Sequence, residues 1–276
     1  MLQNPQNQCA NPSCESDASD TALRCLVENQ HFYALHKPPK VPFHSLDELD
    51  SLSDQNLHVS GIVNQAKTFL NDEAIYPVHR LDRMTSGLML FARSKQVNRY
   101  LSQSFADKKI EKYYLALSSA KPKKKQGAII GDMAKSRSGS YILKRTTDMP
   151  AITRFFAKRI LFEAEPYWLS ILKPETGKTH QLRVALKSLG APILGDRRYS
   201  GQQAARGYLH AYKVRFNLFD TFYEIEDPYF YGPEFNLKTY IASLDETNND
   251  QIGVSDFFSP ECLSWPSSSF KAKSGE

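Results

Sequence analysis

A strand-dominated α+β fold is predicted by three observations: short apolar runs recur along the chain, two stretches carry helical spacing, and no repeat of roughly 20 to 50 residues or heptad run orders them. Phe32 to Leu35 and Leu88 to Ala92 are the first two runs, each of strand length and rich in residues that suit a pleated surface. Val97, Tyr100, Leu101 and Phe105 follow at the spacing of one helix face. Strand runs return at Tyr113 to Leu117, Ile152 to Phe156 and Tyr167 to Leu172. Leu182, Leu186 and Leu189 mark a second helix, which Gly190 and the Pro192 beyond it stop. Tyr212 to Leu218 closes the series, so two helices flank a central sheet.

Length and composition bound what this sheet belongs to. With 276 residues, 41% hydrophobic and 12% aromatic, the chain can bury one substantial core, expected over residues 28–245. Residues 1–27 read as a polar, disordered leader rich in Asn, Gln, Ser and Pro, and residues 246–276 as a Ser-rich tail or loosely docked strap. No stretch approaches the ~18 apolar residues of a membrane span and no secretory h-region opens the chain, so a cytoplasmic protein that stays off membranes is expected. Cys9, Cys14, Cys25 and Cys262 fit no zinc spacing and are expected as reduced thiols.

Charge is distributed by region. The net charge is only +5, but residues 76–215 hold 28 Lys and Arg against 9 Asp and Glu, a balance of +19, while the flanks hold 7 against 21. A basic middle of that kind attracts a polyanion and gives salt-sensitive affinity through counterion release. Lys121, Lys123, Lys124 and Lys125 form its densest cluster and are candidate phosphate contacts; taken alone, the run reads as a solvated loop.

Inside this region, His79-Arg80-Leu81-Asp82-Arg83-Met84-Thr85-Ser86-Gly87-Leu88-Met89-Leu90-Phe91 sets one acid between two arginines and follows it with an apolar strand. Cationic neighbours favour the ionised carboxylate, which can act as nucleophile or base but not as proton donor. An Arg-Asp ion pair closing a loop is the structural alternative. The whole run resembles the H-R-L-D-x-x-T-S-G-L signature of the RluA-type RNA pseudouridine synthases.

Further motifs of that family occur in its order. Leu35-His36-Lys37-Pro38-Pro39 through His44 is similar to N-K-P-x-G, with Lys40 replacing the usual glycine. Lys112-Tyr113-Tyr114-Leu115-Ala116 matches K-x-Y-x-A, Ala151-Ile152-Thr153 fits A-x-T, and Thr176 through Val184 fits T-G-[RK]-[TS]-H-Q-[IL]-R-V. Pro192 through Tyr199 and Leu209-His210-Ala211 complete a set that spans residues 31–215, with Ala185 standing where many members have histidine.

The resemblance implies a bent, mixed and mostly antiparallel sheet in two halves, with flanking helices and a cleft between. It also implies isomerisation of uridine in structured RNA, ribosomal or transfer. A monomer is expected, with no metal or cofactor because no motif for one is present, and without the separate S4-type RNA-binding domain that many members carry, because only about thirty polar residues precede the first motif. Asp82, Tyr114 and Arg183 become the catalytic set: Asp82 attacks C1′ or removes the 2′ proton, Tyr114 stacks on the flipped uracil, and Arg183 offers its guanidinium to the carboxylate. Substrate contacts are expected from His79, Arg80, Thr85, Lys112, Lys178 and His180 besides the lysine cluster. Tyr113 points the other way on a strand, into core. His79 also reads as a fixed loop histidine, and His180 and His210 as buried hydrogen-bonding residues. No phosphate-binding glycine loop or metal-ligand spacing is present. Two other classes remain. A glycosidase would need a second carboxylate about 5 to 9.5 Å from Asp82, and Asp132, Glu175 and Asp196 sit in no comparable motif; a non-catalytic RNA-binding module could drop the acid, tyrosine or arginine, all of which are here.

Overall fold

The computed structural model describes residues 22–49, 56–136, 139–233, 235–237, 240 and 257–266. In chain order the elements are β1 (Arg24–Glu28), β2 (Phe32–Lys37), β3 (Leu46–Leu49), β4 (Asn56–Val59), α1 (Ile62–Leu70), β5 (Tyr76–Pro77), β6 (Ser86–Ala92), α2 (Lys95–Ala106) and β7 (Glu111–Ser118). They continue as β8 (Gln126–Gly131), β9 (Met133–Lys135), β10 (Tyr141–Leu143), β11 (Ala151–Phe162), β12 (Glu165–Pro174), α3 (Gln181–Ser188), β13 (Leu209–Leu218) and β14 (Thr221–Glu226). Strands dominate, as expected. The chain divides into two units, residues 1–114 with 204–239 and residues 115–203 with 240–276, and β7 crosses from one to the other in sequence.

In the first unit β1, β2, β6, β13 and β14 lie side by side, and β5 also pairs with β6. All these pairings are antiparallel except β6 with β13. Strand alternation sorts β2 and β6 into two cores. Phe32, Ala34, Leu88, Leu90 and Ala92 face one side with Val97 and Leu101 of α2, while Tyr33, Leu35, Met89 and Phe91 face the other with Ile62 and Ala66 of α1. β6 is buried at every position, which is why its sequence reads as a continuous apolar run. Truncating Leu90 to Ala would leave a cavity here and cost about 3 kcal/mol.

α2 begins where Ser94 accepts from the Val97 N–H, a side-chain cap. α1 has no such cap: Gly61 precedes it, and Asn71 ends it in the left-handed conformation. β1 starts at Arg24, inside the segment expected as a disordered leader, because Leu23 and Cys25 can pack on the Tyr33 and Leu35 core; residues 1–21 lie outside the described residues. Cys25 is disulfide-bonded, which corrects the expectation of a reduced thiol; spacing in sequence does not report which sulfurs meet in space. Cys262 is free and exposed.

In the second unit β8, β11 and β12 form an antiparallel group, β9 and β10 a separate ribbon, and α3 packs against β11 and β10. Part of the expected tail docks onto this unit. Trp265 packs on Phe156 with Lys173 above its ring, donates through Nε1 to Pro260 O at 2.7 Å, and Arg154 Nη1 reaches Pro266 O at 2.6 Å. Among the described residues no helix is long and apolar enough to cross a membrane.

Candidate active site

Asp82 stands on a turn between β5 and β6 whose two ends are held by backbone. Leu90 clasps the start: its carbonyl accepts from Val78 N at 3.1 Å, and its N–H donates to His79 Nε2 at 3.1 Å. Thr85 N closes the turn onto Asp82 O at 3.0 Å, and Leu81 anchors it in the core. At the far end Gly87, at φ +109°, runs against β13, where an added Cβ would lie 2.4 Å from Ala211 O. No side chain fits there, so the glycine of the motif is a steric requirement.

The arginines beside the acid tie the turn to the segment after β2. Arg83 Nε donates to Lys40 O at 2.9 Å and Arg80 lies over the Phe43 ring at 5.4 Å. Lys40 sits at φ 68°, the left-handed region, which explains why the family pattern has glycine there; this chain accepts the strain of a lysine. Lys37 is wholly buried, and its Nζ donates to Pro38 O at 2.8 Å and Arg83 O at 3.4 Å. Burial, reinforced by Arg206 and opposed by Asp82, pulls its pKa down to about 7.

Tyr114 packs in the same unit against the core that holds Leu81 and Ala211. Burial and then the negative charge of Asp82 push its hydroxyl well above the usual tyrosine range, so it keeps its proton. Tyr113 faces the other way, 1% exposed, and donates to Glu111 Oε2 at 3.0 Å. The assignment of one tyrosine to core and the other to the site side of β7 follows from strand alternation.

His79 has the environment of a fixed loop histidine. Its ring stacks on Phe105 at 4.7 Å, its Nε2 accepts a backbone N–H and therefore carries no proton, and burial with Lys112 nearby lowers its pKa to about 3. Lys112 lies over the same Phe105 ring at 5.5 Å. Thr85 is buried.

A polar chain behind the turn was not read from sequence as a unit. Arg206 Nη2 donates to Ser86 Oγ at 2.5 Å, Ser86 Oγ meets His210 Nδ1 at 2.9 Å, and His210 Nε2 donates to Asp227 O at 2.8 Å. The Asp227 carboxylate accepts from His36 Nδ1 at 2.7 Å and from Tyr229 N at 3.0 Å. His36, His210 and Asp227 thereby bring three possible ligand atoms within 4.8 Å of one another. Each already has a partner within the fold, the mark of a self-satisfied buried network. His36 and His210 did lie inside quoted motifs; Arg206 and Asp227 carried no signal.

In the second unit Arg183 is buried on α3, and Asp196 grips it twice, Nε to Oδ2 at 2.7 Å and Nη2 to Oδ1 at 2.8 Å. Its guanidinium lies over Tyr199 at 4.9 Å. Gln181 pins the loop before the helix: its Oε1 accepts from Thr176 Oγ1 and Lys178 N, and its Nε2 donates to Ile152 O and Thr153 Oγ1. His180, left-handed at φ 59°, meets the Tyr199 hydroxyl at 2.9 Å through Nδ1. Asp196 and Tyr199 are the residues that sequence reasoning left without a role, although their motif was recognised. Lys121, Lys123, Lys124 and Lys125 are all exposed, and Lys123 N donates to Leu189 O.

Residues 31–188 match the family described as RNA pseudouridylate synthase. The chain is 48% identical over 206 residues to an uncharacterized RNA pseudouridine synthase of Haemophilus influenzae, covering 74% of this chain and 86% of that protein. It is 31% identical over 211 residues to ribosomal large subunit pseudouridine synthase D of Borreliella burgdorferi, covering 72% of this chain and 63% of that one. Among solved structures, human RNA pseudouridylate synthase domain containing 1 aligns with a TM-score of 0.61 at 21% identity, over 84% of this chain and 98% of the human one, a likeness of fold. With a family match across more than half of its residues and a relative at 48% identity, this chain belongs to the RNA pseudouridylate synthases, which are isomerases.

Proposed function

We propose that this protein converts uridine to pseudouridine in structured RNA, with Asp82 as the catalytic carboxylate and Tyr114 as the ring that receives the flipped base. The placement of Asp82 and Tyr114 supports this reading: the acid stands on a backbone-fixed turn, and Tyr114 packs on the same core cluster as Leu81, the residue next to that acid. The reaction breaks the bond from N1 to C1′, turns the uracil and rejoins it through C5. Asp82 attacks C1′ or takes the 2′ proton; both routes need the ionised form. Tyr114, holding its proton, supplies an aromatic face and a hydrogen-bond donor.

Arg183 is proposed as catalytic on its motif alone, and Asp196 holds its guanidinium through Nε and Nη2. Arg80, Lys112, Lys178, His180 and the exposed lysines are the proposed RNA contacts, whereas Thr85, which is buried, and His79, whose ring lies on Phe105 and whose Nε2 takes the Leu90 N–H, hold the turn itself. Ribosomal RNA is favoured over transfer RNA because the Borreliella relative is named for the large ribosomal subunit. The protein is proposed to act as a cytoplasmic monomer.

Asp82→Asn tests the reading. The amide keeps the shape but can neither attack carbon nor accept a proton, so turnover on uridine-labelled RNA should fall by roughly 10³-fold or more while RNA affinity stays within about threefold. Turnover near wild type would remove Asp82 from the role. Absence of any pseudouridine from the wild-type protein, with RNA still bound, would favour the non-catalytic module.

A further inference from the structure

The turn that carries Asp82 ends on Ser86, and the Ser86 hydroxyl is the meeting point of the buried polar chain. An arginine can only donate. Because Arg206 Nη2 donates to Ser86 Oγ, the serine's own proton is left to point at His210 Nδ1, 2.9 Å away. That nitrogen must then be bare, which puts the ring proton on Nε2, where Asp227 O accepts it at 2.8 Å. Arg206 is itself held by Gly207 O at 3.2 Å and Tyr231 O at 2.8 Å, and Asp227 by His36 and Tyr229. Burial keeps His210 neutral, with a pKa lowered to about 4. His210 and Ser86 are also backbone partners across β13 and β6.

We propose that His210 is a positioning residue for Asp82: through its bare Nδ1 it fixes Ser86, and through Ser86 the end of the Asp82 turn. This rests on the reading of Asp82 given above. Ser86 adjoins Thr85, whose N–H closes the turn on Asp82 O, so slack at Ser86 reaches the carboxylate through four residues of backbone. Misplacement of a reacting group by about 1 Å can cost on the order of 10²-fold in rate.

Two substitutions at one position separate the halves of the ring. His210→Asn leaves an oxygen close to the place of Nδ1, able to accept from Ser86, whereas His210→Gln leaves an amide close to the place of Nε2 and serves Asp227 O alone. Both lose the ring stacked on Phe230 at 5.1 Å, so a purely structural role would harm them alike. The expected result is a loss of kcat under about threefold for Asn and of about tenfold or more for Gln, each with KM within about twofold of wild type. Equal losses, or the reverse order, overturn the proposal. Should neither variant fold by thermal melting, Ser86→Ala decides: kcat down about tenfold at constant KM supports it, and wild-type kcat overturns it. Asp82→Asn is assayed alongside, since turnover there would sink the reading of Asp82 itself. An inactive Asp82→Asn beside an indifferent His210 pair would sink the positioning role alone.

Discussion

The Asp82 turn and the Arg183 helix start each hold one charged side chain in place, by different means. Around Asp82 the fixing atoms are mostly main chain: Leu90 at the root, Thr85 N on Asp82 O, and Gly87 pressed on Ala211. Around Arg183 they are side chains, with Asp196 gripping the guanidinium and the Gln181 amide tying the loop to β11. Geometry fixed by main chain gives way as a whole when it is breached, while losing the side-chain bond at its end, from Ser86 to His210, trims its precision without unfolding it. Geometry fixed by side chains fails one bond at a time.

Gly87→Ala should therefore produce the largest effect. Its Cβ would sit 2.4 Å from Ala211 O at a φ of +109°, and the first unit should lose more than about 4 kcal/mol or fail to accumulate as folded protein. Urea denaturation of any soluble fraction checks it; wild-type stability would mean the turn is not clamped by main chain. Asp196→Ala should cost about 3 kcal/mol by leaving a buried guanidinium without its carboxylate, and Gln181→Ala about 2 kcal/mol, giving the graded series expected of side-chain fixation. Equal losses in the two would break that half of the comparison.

Lys37 gives an effect that is smaller per pH unit and has a definite sign. Its ammonium binds main-chain carbonyls beside Asp82, yet burial lowers its pKa from 10.5 to about 7. Between those values the unfolded chain holds a proton that the folded protein does not, so stability rises with pH across this window and the penalty is complete below it. Relative to Lys37→Met, the wild type should gain up to about 1.4 kcal/mol per pH unit from pH 7 upward. Parallel curves for the two proteins would show that the amine does not titrate there.

The exposed lysines mark the other extreme, where almost nothing is fixed. Replacing Lys121, Lys123, Lys124 and Lys125 with Gln should change stability by under about 0.5 kcal/mol. If they contact phosphates, the slope of log K against log salt should fall by up to about one unit per lost contact, for related and unrelated RNAs alike. Salt titration of binding decides it. An unchanged slope would move the RNA track to Lys144, Arg145 or the Arg197 and Arg198 pair.

What was legible in the chain follows the same division. β2 and β6 announce themselves as continuous apolar runs, because both their faces are buried, and β7, β11, β12, β13, α2 and α3 by the apolar positions they bury. α1 is missed since Gly61 offers no side-chain cap, and β14 because its hairpin turns on Phe219 at φ 52° where Asn or Gly would have signalled it. The β11 to β12 turn likewise uses Glu163 and Ala164 at φ 50° and 69°. The proposed catalytic residues Asp82, Tyr114 and Arg183 each stand inside a contiguous motif. The network of His36, Ser86, Arg206, His210 and Asp227 joins residues from four separate stretches, which the register of β2, β6 and β13 and the β13–β14 hairpin bring together.

Gly87 and Gly207 divide the neighbourhood of the turn into what evolution or an engineer can and cannot revise. A side chain at Gly207 would meet Met84, 2.3 Å from Cε and 3.2 Å from Cβ, so shortening Met84 relieves the closest clash and the two positions can change as a pair. The three atoms nearest a side chain at Gly87 are all main chain of Ala211, which every substitution at 211 retains. Position 87 thus has no compensating partner, and libraries aimed at new RNA targets should hold it constant while varying Met84 and Gly207 together.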